Sequence, residues 1–325
     1  MSLGERRESV GASSGPDPGA DTSVGAGGRE GAGERNPVEP LGAGVFAWKG
    51  LPRYGRQDLG YTPDGAQDRC SFLSGNALLG NPPAQEALEL VFPPDAVRFR
   101  VDCFFALTGG HLQADLATRL HNTDDLQPID HATVYHAPAG SELRFGRRVY
   151  GFRTYLCVIS AGDADASIAG RRRGSFESVF RWPHPEGLLR VMDGPEREFL
   201  VQPSRFLETP WRTTQDMSDM GIRLAVGGGN GRPMPEVKSE QLISAPVCDG
   251  TIQMTPSGPI VLLRDRQTTG GYPRVFVVIS ADLDLVAQYA PGRIMRFTSV
   301  TSEEARRIAQ QRRQELEILR ERFGE

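Results

Sequence analysis

Short runs of apolar and β-branched residues, bounded by Gly, Pro, Asp or Asn, recur along the chain from about Val45 onward. They include ALELVF, FRVDCFFALTG, YLCVIS, REFLVQ, IRLAV, TIQM, PIVLL and RVFVVIS, and their length and composition are typical of β-strands. The runs occur in both halves without the regular alternation of strand and helix that a doubly wound parallel sheet requires. The pattern therefore predicts a mainly β protein with a few helices, in two β-rich units that divide near Pro183–Gly194.

A few helices and an N-terminal tail complete the predicted organisation. Helical patterns occupy residues 70–79 and 283–289. Thr301, followed three residues later by Glu304, is typical of a capping box that opens a charged C-terminal helix, which either lies on the domain or binds a partner. Residues 1–42 are rich in Gly, Ser, Glu, Arg and Pro with few large apolar side chains, so we expect a disordered tail.

Composition argues against several classes of function. The formal net charge of -4 argues against a general nucleic-acid binder, which needs a basic surface. We find no apolar run long enough for a transmembrane helix and no apolar core of a signal peptide near the N-terminus. The cysteines form no CxxC pair and the histidines no HxH or HExxH motif, so we expect no metal site and a reduced, cytoplasmic setting.

Lysine is scarce in this chain. Lys49 and Lys238 are its lysines, and all other basic residues apart from histidine are arginines. No GxxxxGK[ST] phosphate loop can be written, and neither lysine has the setting of a biotin acceptor. We therefore expect neither a self-contained P-loop ATPase nor biotin attached to this chain.

One polar block stands between PIVLL and RVFVVIS. About ten residues intervene, which is more than a hairpin turn needs. Arg264 and Arg266 are two apart, so both project to one side of an extended backbone and Asp265 to the other. Guanidinium groups, hydroxyls and the amides of Gly270-Gly271 suit a planar or tetrahedral oxyanion. The alternative is a solvated hairpin with an internal Arg–Asp pair.

The same block, read as DRQTTGGYP and followed by ISADL, resembles the signature of the biotin-dependent carboxyltransferase-like family. That family includes the C subunit of bacterial 5-oxoprolinase and the allophanate hydrolase subunit 2 type proteins. SDMGIRL resembles its SDRMGxRL, SAPVCDG with TIQ resembles SEPVxPGxIQ, and ALTGG resembles ALTGA. QDLG, DGAQD and LLGN resemble TxQDLGR, SGAMD and LxGN. The resemblance runs from about Gln57 to Val300.

The chain departs from the family pattern at several positions. Asp64 and Gln67 replace the serine and methionine of SGAMD, and the segment between Gly60 and Asp64 is short. The arginine that follows the aspartate of SDRMG is missing after Asp219. Residues 170–175 stand where the family has GSRST. We therefore expect part of the cleft to be remodelled.

The resemblance implies two joined cyclophilin-like β-barrel domains, which we place at residues 43–188 and 189–300, with the C-terminal helix at 301–325. It also implies one subunit of an ATP-dependent enzyme that opens the cyclic amide 5-oxoproline to glutamate together with separate A and B subunits of the oxoprolinase. ATP is then expected to bind mainly with a partner subunit. Donors placed where the amide oxygen gains negative charge are the expected catalytic device.

Site residues are assigned from residue type and from position in the matched motifs. The predicted catalytic residues are Asp265, Arg266, Gln267 and Arg274, with Arg266 and Arg274 as two-pronged clamps for a carboxylate or phosphate. The predicted substrate-binding residues all lie within the matched motifs: Thr268, Thr269, Gly270, Gly271, Tyr272, Arg223, Asp219, Asp58 and Asp68.

Two other functions stay open at this point. One is a divergent, non-catalytic binding or regulatory module that antagonises a partner protein. The other is a carboxyltransferase that acts on carboxybiotin and a urea-like amide.

Overall fold

Antiparallel strands dominate the computed structural model, which describes residues 36–120, 123–172, 188–228, 233–238 and 242–323. The predicted mainly β fold is confirmed. The predicted pair of cyclophilin-like units takes the form of a curled, open sheet and a closed barrel, both within one compact unit that spans Arg35–Glu325. Of the predicted division at 183–194, residues 183–187 lie outside the described part, and the first barrel strand begins at Leu188.

The first sheet contains eight strands from the N-terminal half. Their bounds are β1 Val38–Leu41, β2 Val45–Lys49, β3 Ala87–Phe92, β4 Ala96–Phe99, β5 Cys103–Leu120, β6 Thr123–Pro128, β7 Val134–Ala137 and β8 Glu142–Ser160. The sheet runs in the order β1-β4-β8-β3-β2, and β5 pairs with β6, β7 and β8. The β5–β8 pairing starts at Cys103 opposite Ser160 and shifts register between Gly109 and Ala114. Leu88, Phe105 and Leu156 belong to the buried core beneath this sheet.

The second sheet closes into a seven-stranded barrel. The strands of the C-terminal half are β9 Leu188–Asp193, β10 Trp211–Ser218, β11 Gly221–Val226, β12 Ala245–Pro246, β13 Thr251–Thr255, β14 Gly258–Leu262, β15 Thr269–Gly270, β16 Arg274–Val278 and β17 Ile294–Ser299. The barrel order is β10-β11-β14-β13-β16-β9-β17, and β12 pairs with β15 outside it. Phe206 packs against Trp211, Phe276 and Phe297 inside the barrel. This aromatic cluster fills the barrel with side chains.

One predicted strand is wrong. The run REFLVQ contains a 3-10 turn at Arg197–Phe199 instead of a strand. The chain leaves β9 at Gly194, whose amide donates to the carbonyl of Val275, and the Glu196 amide then donates to the carbonyl of Arg274. These bonds turn the backbone across the end of β16, where an extended strand cannot continue.

Four α-helices lie in the described residues: α1 Arg69–Leu79, α2 Pro203–Glu208, α3 Leu283–Val286 and α4 Ser302–Phe323. The predicted helix at 70–79 is confirmed, and Gly80 ends it with a left-handed φ of 71°. The helix predicted at 283–289 is shorter than expected, because the Gln288 amide donates to Leu285 three residues back and tightens the backbone. The capping box is confirmed: the Thr301 amide donates to Glu304 Oε2 at 2.8 Å, and α4 packs against α1.

The predicted limit of the tail at residue 42 is wrong. Residues 38–41 form β1, which pairs with β4, and the Val38 side chain is buried because it joins the core of the first sheet. Residues 1–35 lie outside the described part of the chain. Among the helices of the described residues, none is long and apolar enough to cross a membrane.

Candidate active site

A buried lysine lies between the two sheets and binds three carboxylates. Lys49, the last residue of β2, places its Nζ atom 2.8 Å from Asp64 Oδ1, 3.2 Å from Asp265 Oδ2 and 3.5 Å from Asp219 Oδ2. Asp64 precedes α1, Asp219 lies in the turn between β10 and β11, and Asp265 follows β14. We call these four residues, together with Gln67, the Lys49 cluster. Both halves of the chain contribute to it.

The backbone before α1 is shaped to present Asp64. Asp64 has a φ of 53°, in the left-handed region that aspartate tolerates better than most residues. The next residue, Gly65, has a φ of 86°, and a Cβ there would lie 2.6 Å from the amide nitrogen of Pro52. Glycine is therefore required at position 65, and the turn aims Asp64 at Lys49.

Gln67 connects the two halves beside the lysine. Its side chain is fully buried, its Nε2 donates to the Asp219 carbonyl at 3.3 Å, and its Oε1 accepts from the Arg264 amide at 3.2 Å. The Asp265 amide donates to the Asp219 carbonyl at 3.0 Å. These bonds fix the two barrel loops that carry Asp219 and Asp265 against the first sheet.

A second layer of buried polar groups holds the cluster from behind. The Arg153 guanidinium, on β8, donates to Glu89 Oε1 at 3.2 Å and to Asp219 Oδ1 at 2.9 Å. Tyr155 donates to Glu89 Oε2 at 2.6 Å and accepts from the Asp68 amide at 2.7 Å. Burial, together with Glu89, raises the pKa of Tyr155 well above its ordinary value. The tyrosine hydroxyl therefore stays a donor, and Asp219 is oriented by a guanidinium whose other contacts are also fixed.

The ionisable groups of the cluster shift in different directions. Burial would lower the pKa of Lys49, but Asp265, Asp64 and Asp219 outweigh it and raise that pKa above its ordinary value. Burial raises the pKa of Asp265 to about 6, against the opposing effect of Lys49 and with further increase from Asp219 and Asp64. For Asp219 and Asp64, burial is outweighed by the neighbouring cations, so the pKa of each is lowered. At neutral pH the cluster therefore holds an ammonium, two carboxylates that are held ionised, and one carboxyl whose pKa lies near 6.

Arg266 of the DRQTTGGYP block and Arg264 just before it point into the protein. Arg264 Nη2 lies 3.4 Å from Asp284 Oδ1, and Arg266 Nε lies 2.9 Å from Asp249 Oδ1. With its amide oxygen facing Arg266, Gln57 accepts from Nη2 at 2.6 Å and from Nη1 at 3.0 Å. Asp249 stands where the family pattern SEPVxPGxIQ has its second proline. Both guanidinium groups are thus paired within the chain.

The rest of the block forms a structural bridge. Gln267 Nε2 donates to Gln253 Oε1 at 3.3 Å, and Thr269 and Gly270 pair with β12. A Cβ at Gly270 would lie 2.4 Å from Gln253 Nε2, so a larger residue there would displace the end of the Gln253 side chain. Backbone bonds also hold the predicted residues of this bridge: the Thr268 carbonyl accepts from the Val247 amide, and the Gly271 carbonyl accepts from the Leu242 amide. The side chains of Thr269 and Tyr272 are exposed.

Some predicted site residues have partners outside the Lys49 cluster. Arg274 binds Glu196 through two parallel bonds, Nε to Oε2 at 2.8 Å and Nη2 to Oε1 at 2.5 Å. Arg223 Nη1 donates to Thr255 Oγ1 at 3.0 Å, and Asp58 is exposed in the 3-10 turn Gln57–Leu59. Of the predicted residues, Asp219 and Asp265 are therefore the ones that the structure brings together at Lys49.

Asp68 has a structural position. It is buried at the N-terminus of α1, accepts from the Ser71 amide at 2.9 Å and accepts from Gln288 Nε2 at 2.7 Å. Burial, with Asp284 nearby, raises the pKa of Asp68 to about 6. This aspartate caps a helix and ties it to the segment after α3, so its predicted substrate-binding role has no direct support in these contacts.

Sequence reasoning missed Lys49, Asp64, Gln67, Glu89 and Arg153. The scarcity of lysine is itself a signal that could have found Lys49, because the chain keeps a lysine there while nearly all its other cations are arginines. In the sequence, Asp64 and Gln67 stand out only as departures from the family pattern. In the described residues, no group of three or more His, Cys, Asp or Glu side chains could hold a metal ion.

The comparisons with known proteins give the family. The model of the carboxyltransferase domain, subdomain A and B, matches residues 59–170 and 162–299. The chain therefore belongs to the carboxyltransferase domain family.

The chain is similar to two groups of relatives. The chain is 28% identical over 298 residues to the C subunit of 5-oxoprolinase from Escherichia coli, covering 82% of this chain and 92% of the relative. It is 27% identical to the C subunit of 5-oxoprolinase from Haemophilus influenzae, covering 79% and 89%. It is 23% identical to the urea amidolyase of Saccharomyces cerevisiae, but covers only 16% of that protein.

A solved structure supports the fold. The urea amidolyase of K. lactis matches with a TM-score of 0.72 at 18% identity, over 87% of this chain. This chain spans about one fifth of that protein's length, since it covers 20% of it. At this identity the likeness shows the fold alone.

Proposed function

We propose that this chain is the C-type subunit of an ATP-dependent, 5-oxoprolinase-like amidohydrolase and that the Lys49 cluster is its half of a shared active site. The match in length supports the assignment, because the relatives named as C subunits of 5-oxoprolinase align over about nine tenths of their own length. The urea amidolyases align over a small part of theirs. The proposed assignment makes this chain one subunit of an enzyme assembly, as the relatives named as C subunits of 5-oxoprolinase are.

The observation that carries the proposal is the arrangement of one ammonium and one titrating carboxyl at a junction that solvent can reach. The Lys49 side chain is 10% exposed, whereas Asp64, Asp219 and Asp265 are 45%, 32% and 26% exposed. The lysine thus lies at the base and the carboxylates at the mouth. A small cyclic amide fits this chemistry, because its carbonyl oxygen needs a donor and its nitrogen needs a proton relay.

In the proposed reaction, Lys49 Nζ gives up its longest contact, the one to Asp219 at 3.5 Å, and donates to the amide oxygen instead. It thereby stabilises the negative charge that develops when the carbonyl carbon is attacked. Water supplies the attacking oxygen, and the bond from the carbonyl carbon to the ring nitrogen breaks. Asp265 takes a proton from the water and returns it to the leaving nitrogen, which a carboxyl with a pKa of about 6 can do at neutral pH. Asp219 and Asp64 hold Lys49 protonated and in place.

Hydrolysis of ATP to ADP and phosphate elsewhere in the assembly would supply the free energy that makes this ring opening favourable. Arg266 of the DRQTTGGYP block, with Arg264 and Arg274 on either side of it, does not fit a triphosphate here. These arginines are paired with Asp249, Asp284 and Glu196, respectively. In the proposal, nucleotide binding therefore belongs to a partner subunit, and no step in this chain involves it.

The test is 5-oxoproline-dependent ATP hydrolysis, with glutamate quantified, by this chain co-purified with the A and B subunits of its oxoprolinase. Lys49→Met and Asp265→Asn are each expected to lower turnover by roughly 100-fold or more, the usual effect of removing one preorganised donor or proton relay. Lys238→Met is the matched control, since Lys238 is exposed. Wild-type turnover in Lys49→Met would refute the site.

A second candidate, a non-catalytic binding module, is favoured by the same arginine pairing. Guanidinium groups that are already bound to Asp249 and Glu196 give the block a structural role that needs no substrate. An assembly that forms with the partner subunits but hydrolyses no ATP in the presence of 5-oxoproline would support this alternative.

A further inference from the structure

Exposed apolar side chains line two loops beside the Lys49 cluster. Tyr54, Leu59 and Tyr61 lie in the loop between β2 and α1, and Leu59 and Tyr61 are 70% and 63% exposed. Ile243 and Tyr272 lie on the barrel side, and Ile243 is 94% exposed. We call these five residues the apolar rim. Single exposed apolar residues are common on protein surfaces, but a group on neighbouring loops is typical of an interaction site.

Polar contacts hold the two loops together. The Tyr54 hydroxyl donates to Asp249 Oδ2 at 2.8 Å. Asp249 also binds Arg266, whose other side faces Gln57, in the same turn as Leu59. The loop of the first half is therefore fixed to the barrel loop by a buried arginine.

The barrel side of the rim is held by backbone bonds. The Leu242 amide donates to the Gly271 carbonyl at 2.8 Å, and β12 pairs with β15 a few residues further on. These bonds bring Ile243 beside Gly271 and Tyr272. Tyr61 is also close in the chain to Asp64, so the rim adjoins the mouth of the Lys49 cluster.

The charge at this mouth restricts what can cover it. Lys49 and Arg53, whose Nη2 lies 3.9 Å from Asp64 Oδ2, face three carboxylates that are each more than a quarter exposed, so the ionised side chains of the described residues at this mouth leave one negative charge without a cation. A second copy of this chain would bring like charges together, and nucleic acid would be repelled. A protein surface with an apolar centre and a Lys or Arg side chain complements both features.

We propose that the apolar rim and the carboxylates at the mouth of the Lys49 cluster are the docking surface for another subunit of the assembly, which places a Lys or Arg side chain against Asp64 and Asp219. The identity of the partner rests on the proposed function. The partner closes the mouth over the substrate and balances its negative charge. The shared active site is then complete only in the complex.

The experiment measures the dissociation constant between this chain and the co-expressed A and B subunits by calorimetry. Leu59→Asp and Ile243→Asp are each expected to weaken binding at least tenfold, because a charge would be buried at an apolar contact. Leu126→Asp is the matched control: Leu126 is 52% exposed on β6, which pairs with β5, and we expect less than a twofold change. Thermal unfolding of each variant establishes that it is folded.

Salt dependence tests the electrostatic part. Binding of the wild-type chain is expected to weaken between 50 and 500 mM NaCl, by roughly tenfold, and Asp64→Asn is expected to reduce that dependence. Absence of a complex with the wild-type chain, equal loss in Leu126→Asp, or binding that is insensitive to salt would each overturn the docking proposal. A complex that depends on the rim but lacks turnover would refute the proposed function and keep the docking surface. Rim variants that bind as tightly as wild type and still turn over substrate would refute the docking surface and support the proposed function.

Discussion

Asp265→Asn is expected to stabilise the protein at pH 8 although it removes an ion-pair partner of Lys49. The pKa of Asp265 rises from its ordinary 3.8 to about 6 on folding. A carboxyl with a raised pKa binds its proton more tightly in the folded state, so stability is full below pH 3.8 and falls as pH rises towards 6. The loss amounts to about 3 kcal/mol above pH 6, because a pKa difference of one corresponds to about 1.4 kcal/mol.

Asparagine at position 265 carries no charge at any pH, so the Asp265→Asn variant does not lose stability as the pH rises towards 6. Allowing for different hydrogen bonds of the amide, we expect a gain of about 2 kcal/mol at pH 8, or roughly 4–8 °C in Tm. At pH 4 the two proteins should unfold at nearly the same temperature. Thermal unfolding followed by circular dichroism across this range measures both.

Asp64→Asn is the matched control and carries the opposite sign. Lys49 lowers the pKa of Asp64, so its contribution to stability is present above pH 3.8 and is lost as pH falls further. Asparagine tolerates the left-handed φ of 53° at this position, which isolates the effect of charge. Asp64→Asn should therefore destabilise the protein at pH 8. If Asp265→Asn destabilises it at pH 8 as Asp64→Asn does, folding does not raise the pKa of Asp265, which contradicts the prediction.

Three further outcomes follow from the ion pairs. Lys49→Met should lower the free energy of unfolding by about 2–4 kcal/mol at pH 8, because three carboxylates lose their cation, and by less at pH 4. Urea unfolding at both pH values tests this. Arg274→Lys should lower Tm while leaving turnover near wild type, because the two bonds from Arg274 to Glu196 are structural. Loss of turnover at an unchanged Tm would instead support a catalytic role for Arg274. Arg266→Ala should cost about 3 kcal/mol, because the buried Asp249 carboxylate would keep its bond from Tyr54 but lose its cation. A second Asp249→Ala change should recover much of this loss.

The fold could be predicted largely because its signals are local. Strand runs, the Gly80 helix end and the capping box at Thr301 depend on neighbouring residues, and the structure confirms them. REFLVQ failed because the residues just before it, Gly194 and Glu196, bond to β16, and its own Val201 amide donates to the carbonyl of Glu236. Local propensity contains no information about such distant partners. β1 was missed for the same reason, since four residues become a strand through pairing with β4.

The site could be predicted only in part. The motif located Asp265 and Asp219, but the Lys49–Asp265 contact joins residues 216 apart in sequence. Guanidinium groups that look available in the sequence are bound by Asp249 and Glu196, which lie outside the contiguous block. Residue type indicated the chemistry of each side chain, whereas its partner was decided by how the two sheets pack.

The departures from the family pattern are best explained as a coupled set. Asp64 binds Lys49, Gln67 binds Arg264, and Asp249 binds Arg266. The first two contacts hold the segment before α1 against Lys49 of the first sheet and Arg264 of the barrel side. Returning a residue to its family pattern usually stabilises a protein. Here Asp64→Ser would remove the carboxylate 2.8 Å from Lys49 and would place serine at a φ of 53°.

We therefore expect Asp64→Ser to lower Tm at pH 8, and by more than Asp64→Asn, which keeps a residue suited to the left-handed backbone. The difference between the two variants measures the backbone term, and the loss in Asp64→Asn measures the charge term. An unchanged Tm for Asp64→Ser would mean that the departure is neutral and that Lys49 is held by Asp219 and Asp265 alone. A lowered Tm would mean that this cleft was remodelled around its lysine, so that single residues cannot be exchanged with relatives without loss.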